Sequence, residues 1–444
     1  MGNSTDQAGY AIAQERDPST VTIIAMASIF IATAIVLMIF GPAEDVLNFY
    51  DQAMCLKDGL LPYVDFNFEF PPMALLFFAI PGLFTSDLVT YSRLFALQCA
   101  VFQAAAIWCV SRMVPDRFGS KRNLVTIAFA LMMLVYISES VKKFDGIVMS
   151  LTVISLYFFM KGRWGPAYAI IAVAAFTKMY PCFLLVLMMA YNIITSEGGI
   201  KAVRMGIIAM SVVAAVSFVP LWIAGVPLAD SLSFIGYHTG RGFQVESTVA
   251  TIVQIMAFMG ITEATIVPSN YTHDVIGPIT DALSPYWVAV CLIAVALASV
   301  FCIRAMLRDR GGFDTVKLSA MAMLVCTTFV LTNKVFSTQY MMWIFPFVAL
   351  MCCACRFDTP RMRATALLVV FLLVQLVCMS IIGLDIGSGL FVLSCATRDI
   401  ILVLLLIEAI DIIRRPSEDP GETAGIVGRG LHGPSDCRCN VRQW

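Results

Sequence analysis

The stretch EDVLNFYDQAMCLKDGLLPYVDFNFEFPP, residues 44 to 72, sets six carboxylates against one lysine and lies between two apolar runs. A carboxylate held at such a boundary is a candidate general base, able to take the proton of a hydroxyl as it attacks an electrophile. Asp45 is the best placed of the six. It stands a few residues past the first apolar run, at the head of a short amphipathic pattern in which Phe49 and Ala53 recur at helical spacing. The first turn of a helix is a favourable place for an ionised carboxylate, and the same position equally suits a plain N-cap. Asp51 and Asp58 read as solvated loop charges. Further on, Tyr63, Asp65 and Glu69 are interleaved with phenylalanines before Pro71 and Pro72 open the next helix. Rings that stack on the apolar face of a sugar, with carboxylates that accept its hydroxyls, fit this composition. So does an ordinary aromatic belt at a membrane surface.

The elements that position these groups are membrane spans. The chain has 444 residues, of which 59% are hydrophobic and 13% charged, against about 25% charged in soluble proteins. Continuous apolar runs, without the alternation of a barrel strand, make this an all-α polytopic membrane protein. Spans of the length a bilayer requires, some shortened, are expected near 22–41, 88–112, 121–138, 144–161, 165–177, 181–195, 203–224, 285–307, 314–332, 339–355, 362–384 and 390–413. Pro181 makes the TKMYP region either two short helices or one kinked helix. The piece 73–84 is too short to span and reads as re-entrant. Of the fourteen cysteines, most sit inside apolar runs as small hydrophobes, so a disulfide framework is not expected. Cys437 and Cys439 are too few for a zinc site.

Orientation follows from Lys/Arg asymmetry. The segments RMVPDRFGSKR (112–122), KGR (161–163), RAMLRDR (304–310), RFDTPRMR (356–363) and RR (414–415) all fall on one side of twelve crossings. That side is expected to be cytoplasmic, with residues 1–21 and the polar, disordered tail 414–444 on it. The membrane domain is 22–413, in a plasma membrane, with 44–72 and 225–284 outside. Several cations then stand on the wrong side: Arg93, Lys142, Lys143, Lys178, His238, Arg241 and Lys334. An ionisable group at membrane depth costs at least ~2.5 kcal/mol, so a set of them suggests a shared anion, such as a lipid phosphate. Snorkelling to the interface is the plainer alternative for each alone. Arg398 and Asp399, inside the last span, read as an internal ion pair. The net charge of −1 gives no sign of a nucleic-acid partner.

Four blocks of this chain resemble family 87 glycosyltransferases, polyprenyl-phosphate-mannose-dependent α-mannosyltransferases of the GT-C fold. The first runs from EDVLNFYDQAM through GLLPY to FEFPP, with Asp45, Phe49 (often Tyr in the family), Ala53, Pro62-Tyr63 and Phe70-Pro71-Pro72 at the family's positions. The others are KFDGIVMSLTVIS through AAFTKMYP, YHTGRGFQVESTVA, and TNKVFSTQYMMWIFP, in family order up to about residue 350. The resemblance implies a GT-C-like bundle of about twelve transmembrane helices with amphipathic helices in the first outer loop. It implies Asp45 as general base on an acceptor hydroxyl, and inversion at the sugar carbon. Lys178, His238, Arg241 and Lys334 become candidates to hold the leaving lipid phosphate, where fixed cations stabilise growing charge. Tyr63, Asp65, Glu69, Gln244, Glu246, Gln339 and Tyr340 become candidates for the sugar or acceptor. The implied partners are a polyprenyl-phosphate sugar donor, membrane lipids, and a glycolipid, polysaccharide or protein acceptor; a lipid monophosphate leaving group need not require a metal, so no metal or cofactor is expected to be essential.

Two competing readings differ in class. A secondary transporter suits twelve spans and an intramembrane Arg–Asp pair, yet should show repeats with matching broken helices; the one broken region lies at 177–181. A non-catalytic lipid-binding protein of the same fold would tolerate loss of Asp45.

Overall fold

The computed structural model describes residues 17–39, 41, 44–195, 199–269, 272–309, 314–354 and 384–415. The side chain of His238 and the expected span 362–384, apart from its last residue, lie outside what is described. Ten helices fill the first half: α1 Thr20–Ile39, α2 Glu44–Lys57, α3 Ala74–Gly82, α4 Leu88–Met113, α5 Arg122–Val135, α6 Ile137–Lys142, α7 Asp145–Met160, α8 Trp164–Thr177, α9 Pro181–Thr195 and α10 Gly199–Ile223. The second half holds α11 Leu228–Ser231, α12 Ser233–Gly240, β1 Phe243–Gln244, α13 Thr248–Phe258, β2 Thr265–Ser269, β3 Thr272–Ile276, α14 Pro278–Arg308, α15 Thr315–Thr332, α16 Phe345–Met351 and α17 Gly389–Arg414. Among the described residues seven helical segments are long and apolar enough to cross a membrane: α1, α4, α5 with its leading turn, α10, α14, α15 and α17.

Of the short helices α7, α8 and α9, α7 is core and the other two are buried along one side. The sequence of α7 is apolar almost all round, and nearly every one of its side chains is buried, as expected of a helix with no solvated face. It packs on α4 and α8, while α10 closes over α8 and α9. Asp87 starts α4 by accepting from the Thr90 amide at 2.8 Å, a cap that satisfies one orphan donor of the first turn. The 177–181 region resolves into two helices: Lys178 is extended at the end of α8, and Pro181 opens α9.

The 73–84 piece is the nine-residue helix α3, tied into the bundle by Met73 N donating to Phe176 O at 3.0 Å and Gln98 Nε2 to Phe77 O at 3.0 Å. Gly82 lets α2 close on it, since a Cβ there would stand 3.3 Å from that of Ala53.

Three segments depart from the sequence expectations. The run 121–138 breaks at Tyr136, whose hydroxyl donates to Thr338 O at 2.7 Å, and α6 follows separately. The run 339–355 is a 3-10 turn (Thr338–Trp343) followed by α16, which carries Pro346 in its first turn. Its bend is fixed by Trp343, held edge-on to a buried carboxylate described below. The region 225–284 contains a three-stranded antiparallel sheet, order β1-β3-β2, with Phe243 opposite Val275 and Ile266 opposite Val275 on its other side. This small sheet sits on a helical membrane fold.

Candidate active site

Asp45 is the second residue of α2, and its carboxylate pairs with the Lys143 ammonium at 3.1 Å. With an ion pair across to the α6–α7 connection, it is engaged otherwise than as a cap. Its side chain is 48% exposed, against 25% for Lys143, so the carboxylate stays open to an incoming molecule. Lys143 also reaches Glu139 at 3.8 Å and donates to Gln339 Oε1 at 3.2 Å. Burial works against its charge, but Glu139 and then Asp45 outweigh it and hold the ammonium above the usual lysine range. Gln339 thus orients the partner of Asp45.

Lys178 lies deeper. Its ammonium is 2.7 Å from Asp145 Oδ1, a carboxylate only 2% exposed at the start of α7, and Trp343 Nε1 donates to the same oxygen at 2.8 Å. Phe144, Tyr340 and Trp343 present their rings to the ammonium at 4.9, 5.0 and 5.4 Å. Trp343 is stacked between Tyr180 and Tyr340, each at 4.0 Å. Cation–π contact and one carboxylate together stabilise a desolvated ammonium. Tyr340 therefore serves as a wall of the lysine cage.

Arg241 follows α12 with its backbone extended and its guanidinium 5.6 Å from the Tyr237 ring. Its Nε and Nη2 are buried and have no hydrogen-bond partner among the described residues. Buried guanidinium donors without acceptors are costly and mark where an anion fits. Glu69 belongs to the same neighbourhood. Burial pushes its carboxyl above the usual carboxylate range, opposed by Tyr237, Arg241 and Lys178, while Asp45 adds to the rise. The electrostatics of Glu69 thus join the α2–α3 connection, α12 and the α8–α9 connection in one site.

Other candidates are committed to holding loops. Lys334 donates to Arg241 O at 3.0 Å, Ser284 Oγ at 2.9 Å and Thr239 O at 3.4 Å, and burial pushes its ammonium below the usual lysine range. It fixes the backbone that carries Arg241. Gln244 and Ser337 exchange hydrogen bonds at 2.8 and 3.1 Å, and Glu246 accepts from Thr338 at 3.0 Å. Arg398 pairs with Asp399 at 3.0 Å and lies 3.6 Å over Phe336, so it is the expected internal pair. Tyr63 has φ +68°, rare for a non-glycine residue. Its hydroxyl donates to Phe70 O at 2.7 Å, and Asp65 accepts from Leu61 N at 2.7 Å. Both shape the turn that presents Glu69. Phe49 is buried against the rings of Phe70, Phe78, Phe95 and Phe144.

Sequence reasoning missed Lys143, Glu139, Asp145, Tyr237 and Trp343 as site residues. Lys143 stood among the wrong-side cations, and its distance of two residues from Asp145, at the head of an apolar run, was the available signal.

The profile of Glycosyltransferase family 87 matches residues 68–332. The crystal structure of ArnT from Cupriavidus metallidurans bound to undecaprenyl phosphate shares the fold, with TM-score 0.50 and 13% identity over 92% of this chain and 80% of that chain. No curated protein matches the chain. The architecture is that of a polytopic membrane glycosyltransferase of GT-C type. The chain belongs to glycosyltransferase family 87. The matched region contains Glu69, Lys143, Asp145, Lys178 and Arg241; Asp45, Lys334 and Gln339 lie outside it.

Proposed function

We propose that this chain transfers a sugar, mannose by the resemblance of its motifs, from a polyprenyl phosphate to an acceptor hydroxyl at the extracytoplasmic face, with inversion. The observation that carries the reading is the buried, unpartnered edge of Arg241 in the same electrostatic neighbourhood as Lys178, Glu69 and Asp45. The ArnT structure, bound to a polyprenyl phosphate, supports that donor class.

Arg241 and the caged Lys178 face the lipid phosphate. As the bond from the sugar carbon to the phosphate oxygen lengthens, charge grows on that oxygen, and fixed cations lower the energy of that state more than of the bound donor. Asp45 takes the proton of the acceptor hydroxyl as its oxygen closes on the sugar carbon from the opposite side. Lys143 holds the carboxylate aimed until the acceptor arrives. Glu69, with Tyr237 beside it, accepts sugar or acceptor hydroxyls. His238, whose sequence position adjoins Tyr237, is kept as a further phosphate candidate.

Membership of a glycosyltransferase family leaves the transporter reading without support. The test is incubation of the purified protein with a panel of synthetic polyprenyl-phosphate sugars and measurement of released polyprenyl phosphate. Release from the mannose donor, dependent on an acceptor, supports the reading. Binding of every donor with no release from any would make this a lipid-binding member of the fold.

A further inference from the structure

A second built site lies at the other end of the bundle. α7 begins at Asp145, in the candidate active site, and ends at Met160. At 1.5 Å per residue its far end is ~24 Å away, close to a bilayer's apolar thickness. There a cavity of about 620 Å³ opens at the surface, lined by Met26 and Phe30 of α1, Ala105 and Trp108 of α4, and Tyr157 of α7, with Lys161 at its rim. α4 packs on both α1 and α7, so it forms the floor and they form the walls. The volume falls in the range of roughly 300–1,000 Å³ typical of ligand sites.

The rim is cationic. Lys161 and Arg163, in the turn after α7, both line the cavity. Arg112, in the last turn of α4, holds its guanidinium 5.5 Å from the ring of Trp108, which lines the same cavity. Apolar walls with cations gathered at one end match a molecule with a hydrocarbon chain and an anionic head. Basic pockets between membrane helices bind anionic headgroups in this way.

We propose that this cavity binds an anionic diacyl phospholipid, its phosphate on Arg163, Lys161 and Arg112 and one acyl chain against Phe30, Trp108 and Tyr157. The site is on the membrane face opposite the candidate active site, so its occupant is a resident lipid of that leaflet and the polyprenyl donor binds elsewhere. The inference stands whether or not the transfer reaction is as proposed.

The protein purified in a neutral detergent is given phosphatidylglycerol, phosphatidylcholine or undecaprenyl phosphate at equal concentration. Retained lipid is read by native mass spectrometry and by the shift in Tm. Phosphatidylglycerol should be retained over phosphatidylcholine and should raise Tm. Lys161→Gln/Arg163→Gln should weaken its retention roughly tenfold or more and leave phosphatidylcholine unchanged. Ala105→Phe, which fills the cavity from its floor, should remove the phosphatidylglycerol while undecaprenyl phosphate is still retained at the other site. Equal retention of the two phospholipids, or wild-type retention of phosphatidylglycerol in the double variant, would overturn the proposal. Loss of undecaprenyl phosphate together with phosphatidylglycerol in Ala105→Phe would give the cavity to the isoprenoid and overturn it equally.

Discussion

Arg241 presents two buried donor nitrogens that no described protein group accepts from. Each unmet donor costs ~1–3 kcal/mol, and a charge-assisted bond to a ligand contributes a comparable amount. Arg241→Gln should therefore weaken polyprenyl phosphate binding about ten- to hundredfold with little loss of Tm; unchanged binding by calorimetry would remove Arg241 from the site. Glu69 adds a pH signature. Burial holds its carboxyl above the usual range, so it takes up a proton as pH falls toward mildly acidic values, before an exposed carboxylate does. Its negative charge beside the anion site is then lost, and affinity for the phosphate should rise over that window. Glu69→Gln should abolish the part of the pH dependence that exceeds the phosphate's own titration; identical wild-type and variant profiles would disconnect Glu69 from the anion. At this scale the sequence displayed residue types but not their partners. Arg241 and Lys334 look alike in the sequence as wrong-side cations, and only packing shows one with two buried donors that no described group accepts from and the other clamping carbonyls.

The elements that make the site converge on Asp145. It joins the head of α7 to Lys178, between α8 and α9, and to Trp343 in the 338–343 turn. Removing one partner of a buried ion pair leaves an unpaired charge, at a cost of about 3–5 kcal/mol. Asp145→Ala should lower Tm accordingly, and Asp145→Asn, which can still accept from Trp343, should lower it less. Equal Tm for Asp145→Ala and wild type would show that the three segments are held by something else. The long helices were readable from apolar runs because burial in lipid asks only for length and composition. The break at Tyr136 and the 338–343 turn were not, since both are set by tertiary bonds to residues about 200 positions away. The sheet was hidden because β1 has two residues and β2 and β3 five each, too short for a period to emerge.

At the scale of the molecule, the Lys/Arg asymmetry of the loops predicts one orientation. With the basic segments 112–122, 161–163, 304–310 and 414–415 placed in the cytoplasm by that rule, the proposed site at Asp45, Lys178 and Arg241 is predicted to face outward. Asn67 and Ser120 are both exposed, so cysteines placed there report the two faces. A membrane-impermeant thiol reagent applied to whole cells should label Asn67→Cys above the wild-type background and leave Ser120→Cys unlabelled; the reverse pattern would turn the mechanism inside out. The proposed transfer depends on a base at Asp45, and the most direct test is the turnover of Asp45→Asn with a polyprenyl-phosphate sugar that the wild type consumes. Asparagine keeps the size of the side chain but cannot take a proton at neutral pH. The variant should fold, bind donor normally and release polyprenyl phosphate about 100- to 10,000-fold more slowly, the range set by losing a general base, while Asp51→Asn and Asp58→Asn stay near wild type. Full turnover in folded Asp45→Asn protein would contradict a base at Asp45.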